Sequence, residues 1–485
     1  MSSAHVLLSG LQDHSKLSEE SCCAMLTELL SFCRYDELKS DIANHGVDTL
    51  LALTKDEALM KSGDVTEALL ELLSTLIFGN HAVRALFVQK GVLHVALDAI
   101  DRFLNKKPGK KRNKIVKLAL EMVDQWSCVE ERQRVELQET VIMRILRILE
   151  SMIEDWTILL HAAEVLGCML ERNAGCIQTV AKLDGISTLL RLLGMPESVM
   201  DVKRSICEAL LIMGNASGMI QVMASDNIIH ALCICLRTQV SGRDVEGITI
   251  RLLQRLSEEA QVYGQIINED MLPLLFQVVD RNCNLLEVAA PACAILERLS
   301  RFARDCKLDL SSYVQEPACR GKVLINAASC NAQVTSLVLS VFRFFVNISY
   351  NPVDLPLLIN SKTIEGLLAL YILNRSSGSL STLSADLVQI LSSLSRSTIE
   401  SLSLKDDNTA LPSIFLCLRN HYDNLRFASQ AFALLTKYWR DRAKSVHSIA
   451  GFVGIAIDIL CKYARTTLAL CDELVNNGSV RSTLT

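Results

Sequence analysis

A short phrase recurs along this chain of 485 residues: a small or polar residue, then Val or Ile, then leucines. Clear copies are Gly46-Val47-Asp48-Thr49-Leu50-Leu51, Gly91-Val92-Leu93 and Gly185-Ile186-Ser187-Thr188-Leu189-Leu190. Weaker ones are Asn227-Ile228-Ile229, Asp270-Met271-Leu272-Pro273-Leu274-Leu275 and Thr363-Ile364-Glu365-Gly366-Leu367-Leu368. With further anchors at 140, 320, 409 and 450, successive copies stand 41 to 50 residues apart. A period in the forties, filled with helical spacing, predicts a stacked α-solenoid. Each repeat is a unit too small to bury its own apolar face, and it buries that face against its neighbours.

One unit shows the pattern in detail. Val199, Val202, Ile206, Ala209, Leu210 and Met213 recur at three and four residues, the spacing of an amphipathic helix. Before it, Gly185 to Leu193 reads as a shorter helix, stopped at Gly194-Met195-Pro196. Ala174 to Lys182 gives about two further turns ahead of both. A short, a medium and a long helix, with a turn near a glycine between the first two, resemble the armadillo repeat. Glu208-Ala209-Leu210-Leu211-Ile212-Met213-Gly214-Asn215-Ala216-Ser217 and Val341-Phe342-Arg343-Phe344-Phe345-Val346-Asn347-Ile348-Ser349 are similar to that family's third helix. The resemblance implies an all-α chain, a right-handed α-α superhelix of about nine to ten armadillo-type repeats. Residues 1–35 are expected to form N-terminal capping helices, 36–470 the solenoid, and 471–485 a frayed C-terminal tail.

The departures from the family pattern narrow the function. In importin-like armadillo proteins an asparagine near the end of each third helix clamps an extended peptide, beside a tryptophan one turn earlier. Here that slot holds Thr75, Gln125, Cys168, Asn215, Arg255, Arg301, Asn347, Ser393 and Lys437. One turn before Asn215 and Asn347 stand Leu211 and Arg343, and Trp126, Trp156 and Trp439 fall at no tryptophan slot. A nuclear-import adaptor of the usual kind is therefore not expected.

Arginine is what the third helices offer instead. Arg251 and Arg255, four apart, share a helix face, Arg298 and Arg301 stand three apart one unit on, and Arg343, Arg396, Lys437 and Arg440 follow. The resemblance implies that third helices line a concave groove. This set, with Asn215 and Asn347, is then a partner-binding groove suited to an extended or acidic protein segment. The competing reading is a solvated face, neutralised locally by Glu258, Glu259, Glu297 and Asp386. A second basic feature is Lys106, Lys107, Lys110, Lys111, Arg112 and Lys114 around Pro108-Gly109, expected as an enlarged loop. Such a loop serves as a localisation signal or an anion contact, or it only aids solubility.

Composition removes other classes. A net charge of −5 gives no global drive toward nucleic acid or anionic membrane. The 17 cysteines form no Cys-x-x-Cys and no zinc spacing, so they read as small buried hydrophobes in a reducing compartment without disulfides. No signal peptide and no membrane span are expected, which points to a cytoplasmic protein; the armadillo resemblance implies cytoskeletal or ciliary settings, and the basic segment, read as a localisation signal, implies shuttling to the nucleus. Phosphate-binding, zinc-protease and nucleophile-elbow motifs are missing, and His161 and His230 read as core or boundary residues. The expectation is a non-enzymatic protein-binding scaffold or adaptor with no catalytic residues, metal or cofactor. The alternative is a chaperone-like or small-GTPase regulator with an armadillo cradle.

Overall fold

The computed structural model describes residues 3–393 together with Cys417 and Ala431, leaving aside 14–16, 79–80, 128–136, 196–198, 226–227, 239–242, 311–316, 352–360 and 375–379. Lys437, Arg396, Arg440, Trp439, the anchors at 409 and 450 and the tail 471–485 lie outside the described residues. The chain divides into two compact units, residues 1–248 and 249–485. Among the described residues every regular element is an α-helix.

The first unit begins with α1 (Ser3–Gln12), α2 (Glu19–Phe32), α3 (Asp36–Leu53), α4 (Glu57–Lys61) and α5 (Gly63–Ile77). It continues with α6 (His81–Gln89), α7 (Val92–Leu104), α8 (Lys110–Ser127), α9 (Gln138–Ser151) and α10 (Trp156–Arg172). Then come α11 (Ala174–Lys182), α12 (Gly185–Leu193), α13 (Met200–Gly214), α14 (Met219–Ser225), α15 (Ile228–Thr238) and α16 (Arg243–Leu256), whose last two turns open the second unit. The second unit holds α17 (Ala260–Asn268), α18 (Met271–Arg281), α19 (Leu286–Cys306), α20 (Pro317–Cys330), α21 (Thr335–Ser349), α22 (Ser361–Leu373) and α23 (Leu380–Ser393). The short–medium–long triplet is explicit in α6–α8 and α17–α19, whereas in α11–α13 the first two helices are of equal length, nine residues each, before the long third.

The recurring phrase marks the second helix of each triplet and carries its core. Val47, Leu50, Val92, Leu93, Ile186, Leu189, Met271, Leu272, Leu275, Ile364 and Leu367 are all buried. Each such side chain contributes about 1.5–3 kcal/mol when fully removed from water. Second helices pack on second helices (α7 on α9, α9 on α12, α12 on α15; α18 on α20, α20 on α22). Third helices pack on third helices (α2 on α5, α5 on α8, α8 on α10, α10 on α13; α19 on α21, α21 on α23). The N-terminal helices α1 and α2 follow the same rule, α1 packing on α3 and α2 on α5.

Side-chain hydrogen bonds between neighbouring repeats carry the period directly. Partners are 41 residues apart for Arg84 and Gln125 (2.9 Å), 42 for Lys90 and Asp48 (2.8 Å), and 43 for Arg144 and Asp101 (2.6 Å). In the second unit the separation is 44 for Arg298 and the Gln254 carbonyl (3.0 Å) and 43 for Asn351 and the Leu308 carbonyl (3.3 Å). Asp155 joins local and neighbour contacts: its Oδ1 caps α10 through Thr157 N and Ile158 N, and its Oδ2 accepts from Asn113 of α8 at 2.7 Å. Burial alone pushes that carboxyl up, but the hydrogen bonds outweigh it and hold Asp155 below its ordinary range.

The phrase glycines serve two different purposes. The turn before the second helix is made by a left-handed residue, Gly91 (φ 76°), Asp184 (φ 57°) or Asp270 (φ 53°). Gly185 and Gly46 are needed for close approach. A Cβ on Gly185 would stand 2.6 Å from Val180 Cγ1 and 3.0 Å from Leu146 Cδ1, and one on Gly46 2.8 Å from Leu8 Cδ2. Around Gly46 no residue turns left-handed, so the first and second helices run on as the single α3.

Candidate functional site

The third helices of the second unit bring the sequence-marked arginines together. On α16, Arg251 is exposed, while Arg255 is half-buried and donates to Glu258 Oε1 at 2.8 Å. Arg298 of α19 reaches back to α16, donating from Nη1 to the Gln254 carbonyl at 3.0 Å and to Ser257 Oγ at 2.8 Å. Arg301, one turn on, pairs with the buried Glu297 yet leaves 52% of its side chain exposed. Arg343 of α21 is exposed.

Asn347 and Asn215 occupy the same slot in their third helices and have opposite environments. Asn347 is buried. Its Nδ2 donates to Ser300 Oγ at 3.0 Å and to the Glu297 carbonyl at 3.4 Å, and its Oδ1 accepts from Arg304 Nη1 at 2.7 Å. The amide is spent on holding α21 against α19. Asn215 is exposed at the C-terminal cap of α13. The two belong to different units.

Arg301, Arg343 and their neighbours form one electrostatic group. Asp386 of α23 is pushed up to about 6, by burial first, against the attraction of Arg343 and with the added repulsion of Glu297. Its Oδ2 is buried with no hydrogen-bond partner among the described residues. Tyr263 donates to the Ser257 carbonyl at 2.5 Å and packs its ring 5.1 Å from Phe302. Its hydroxyl is raised by burial first, with Arg298 and Arg301 opposing. The role of Arg304 could have been found by stepping one period, 43 residues, back from Asn347. The burial of Asp386 has no local sequence signal.

The basic segment differs from the enlarged loop expected. Only residues 105–109 lie outside helix, and Lys110 begins α8. Lys111 pairs with Asp64 at 2.6 Å, and Lys114 with Glu67 at 2.6 Å and Glu71 at 3.3 Å, all three acids lying on α5. These acids hold the ammonium groups of Lys111 and Lys114 above their ordinary range, Asp64 acting first on Lys111 and Glu67 first on Lys114. Arg112 donates to the Leu104 carbonyl at 2.9 Å, and Lys106 lies 3.7 Å over the Phe103 ring and donates to the Lys61 carbonyl. Lys107 and Lys110 are exposed. The physical reason is that cations in the first turn of a helix oppose its dipole, and the acidic face of α5 supplies the compensation.

An acidic surface accompanies it. Glu19, Glu20 and Glu28 of α2 and Asp64 of α5 line an open cleft of about 840 Å³ that also holds Cys23. No sequence expectation covered it, although Glu20 and Glu28, eight apart on one amphipathic helix, were a visible signal.

His161 is half-buried and His230 is exposed, so the latter is not a core residue. Most described cysteines are buried, as expected, and burial raises the thiols of Cys22 and Cys33 to about 11 and of Cys293 to about 12. Cys306 and Cys330 depart from that pattern and are exposed. Among the described residues, no group of three or more His, Cys, Asp or Glu could hold a metal ion, and no helix is long and apolar enough to cross a membrane.

Comparison with known proteins places the fold. No protein-family model and no curated protein sequence matches the chain. Among solved structures, one from work on a phosphorylation switch that controls the interaction between cadherin and beta-catenin matches 98% of this chain and 90% of its own. The TM-score is 0.55 at 12% identity. At that identity the likeness speaks to fold alone, and it fits an armadillo-like helical solenoid. An engineered protein matches 53% of this chain over its whole length, with a TM-score of 0.43 and 14% identity.

Proposed function

We propose that this chain is a non-enzymatic protein-binding scaffold, a right-handed superhelix of about nine to ten armadillo-type repeats whose third helices receive an extended acidic segment of a partner. The observation that carries the reading is the exposure of Arg251, Arg301 and Arg343 on successive third helices. Those helices are tied in register by Arg298 on Ser257 and by Asn347 on Ser300. Arg298 and Asn347 act as the frame, and the three exposed arginines act as the contact row. Arg offers a planar fork to carboxylates, and a row spaced by one repeat suits an extended chain better than a compact ligand.

The test is affinity capture from native cytosol with the wild-type chain and with an Arg301→Glu/Arg343→Glu variant of unchanged helicity. Selective loss of partners, at least tenfold, and weakening of the wild-type capture between low and physiological salt are expected. A partner list that is the same for both proteins sinks the proposal. Capture that depends on the nucleotide state of a bound GTPase would favour the regulator alternative.

A further inference from the structure

Cys283 and Cys330 are brought together by the stacking of two second helices. Cys330 is the last residue of α20, and Cys283 lies two residues beyond the end of α18, on which α20 packs. Cys283 acts electrostatically on Cys330 and, after desolvation, helps to hold the proton on its thiol. An independent contact fixes the same approach: Asn331 Nδ2 donates to the Cys283 carbonyl at 2.6 Å and to the Ala327 carbonyl at 2.9 Å. Cys330 is exposed and Cys283 half-buried, so both sulfurs are within reach of a small solute. This is unlike Cys293, which is fully buried ten residues along from Cys283.

We propose that Cys283 and Cys330 form a redox modification site, a dithiol that hydrogen peroxide converts to a disulfide joining adjacent repeats. One thiolate attacks a peroxide oxygen, breaks the O–O bond and becomes a sulfenic acid, releasing hydroxide. The second thiol, as its thiolate, attacks that sulfenyl sulfur and expels hydroxide, and two protons from the thiols complete two waters. The dithiol is oxidised by two electrons and one peroxide is reduced; a thiol reductant reverses the step by exchange. A disulfide needs an S–S bond of about 2 Å, and the Asn331 bond to the Cys283 carbonyl together with the packing of α20 on α18 holds the two side chains where rotation can bring the sulfurs to it. Cys330 keeps its proton above the ordinary thiol range, through desolvation first and then the charge of Cys283. The reaction therefore speeds as pH rises through that range.

The test uses the full reduced chain, excess hydrogen peroxide, alkylation of remaining thiols, and tryptic digestion without reductant. Peptides 282–298 and 323–343 are expected as one linked species, two hydrogens lighter than their sum and separated by dithiothreitol. It should account for the greater part of both peptides. Cys283→Ser and Cys330→Ser each abolish it, and Cys293→Ser, whose sulfur shares the first peptide, leaves it intact. Separate sulfinic or sulfonic acids on the two peptides with no linked species would overturn the assignment. So would a link that survives Cys283→Ser.

Discussion

Asn347 distinguishes an asparagine that frames a surface from one that clamps a ligand, and its replacement by alanine has a calculable cost. The bond accepted from Arg304 at 2.7 Å involves a charge, and such bonds contribute about 1.5–3 kcal/mol. The low end applies because Arg304 also donates to Asp305. The bond to Ser300 at 3.0 Å is neutral and contributes about 1 kcal/mol. The 3.4 Å approach to the Glu297 carbonyl lies beyond the usual range and is given no weight. Asn347→Ala should therefore destabilise the second unit by about 2–3 kcal/mol, a fall in its melting temperature of about 5–10 °C for a unit of that size. Asn215→Ala, at an exposed cap, should stay within about 0.5 kcal/mol. Thermal and urea melts followed by circular dichroism read both. If Asn347→Ala melts with the wild type while partner capture is lost, the framing argument is wrong and the amide is a ligand contact. An Asn347/Arg304 double-mutant cycle should return a coupling of about 1–2 kcal/mol.

Other outcomes follow from the same packing. Asp386 has a raised pKa in the folded chain, so its favourable contribution is complete below about 3.8 and is lost as pH rises to about 6. Asp386→Asn should flatten the stability profile in that window and raise stability at pH 7 by about 1 kcal/mol after discounting for solvent screening; an unchanged profile refutes the assignment. Gly185→Ala meets Val180 and Leu146 and should destabilise by about 1–2 kcal/mol even after the helix gains from alanine. Gly264→Ala, with nothing within 4 Å, should stabilise by about 1 kcal/mol, and denaturant midpoints that fail to separate the two would undo the close-approach explanation. The buried indole N–H of Trp126 has no acceptor among the described residues, so Trp126→Phe should lie within about 1 kcal/mol of wild type in melting experiments. Trp126→Ala should cost about 3–5 kcal/mol.

Much of the fold was legible because every repeat buries the same positions. Val92, Ile186 and Met271 are interior for one reason repeated, and that repetition is visible in a single sequence. Charge roles were less legible because their partners stand one period away. Lys111 and Lys114 read as loop cations until Asp64, Glu67 and Glu71 are set beside them. Those acids fall at three- and four-residue spacing on one face, so comparing each charged residue with the segment about 43 residues earlier would have found the match. Arg298 and Asn347 would also have been assigned to the frame in that way. The burial of Asp386 depends on three helices at once, and no local pattern encodes it.

The constant separation of the inter-repeat bonds has a mechanical consequence. Among the described residues of each unit these bonds join a repeat to its immediate neighbour, so a unit drawn out under force loses its repeats one after another. Force should strip it in equal steps. Freeing about 43 residues at ~3.5 Å each lengthens the tether by about 150 Å, less the roughly 10 Å between packed helices that it replaces. Optical-tweezer traces would then show a staircase near 14 nm in place of one large rip, with the tread measuring the repeat length itself.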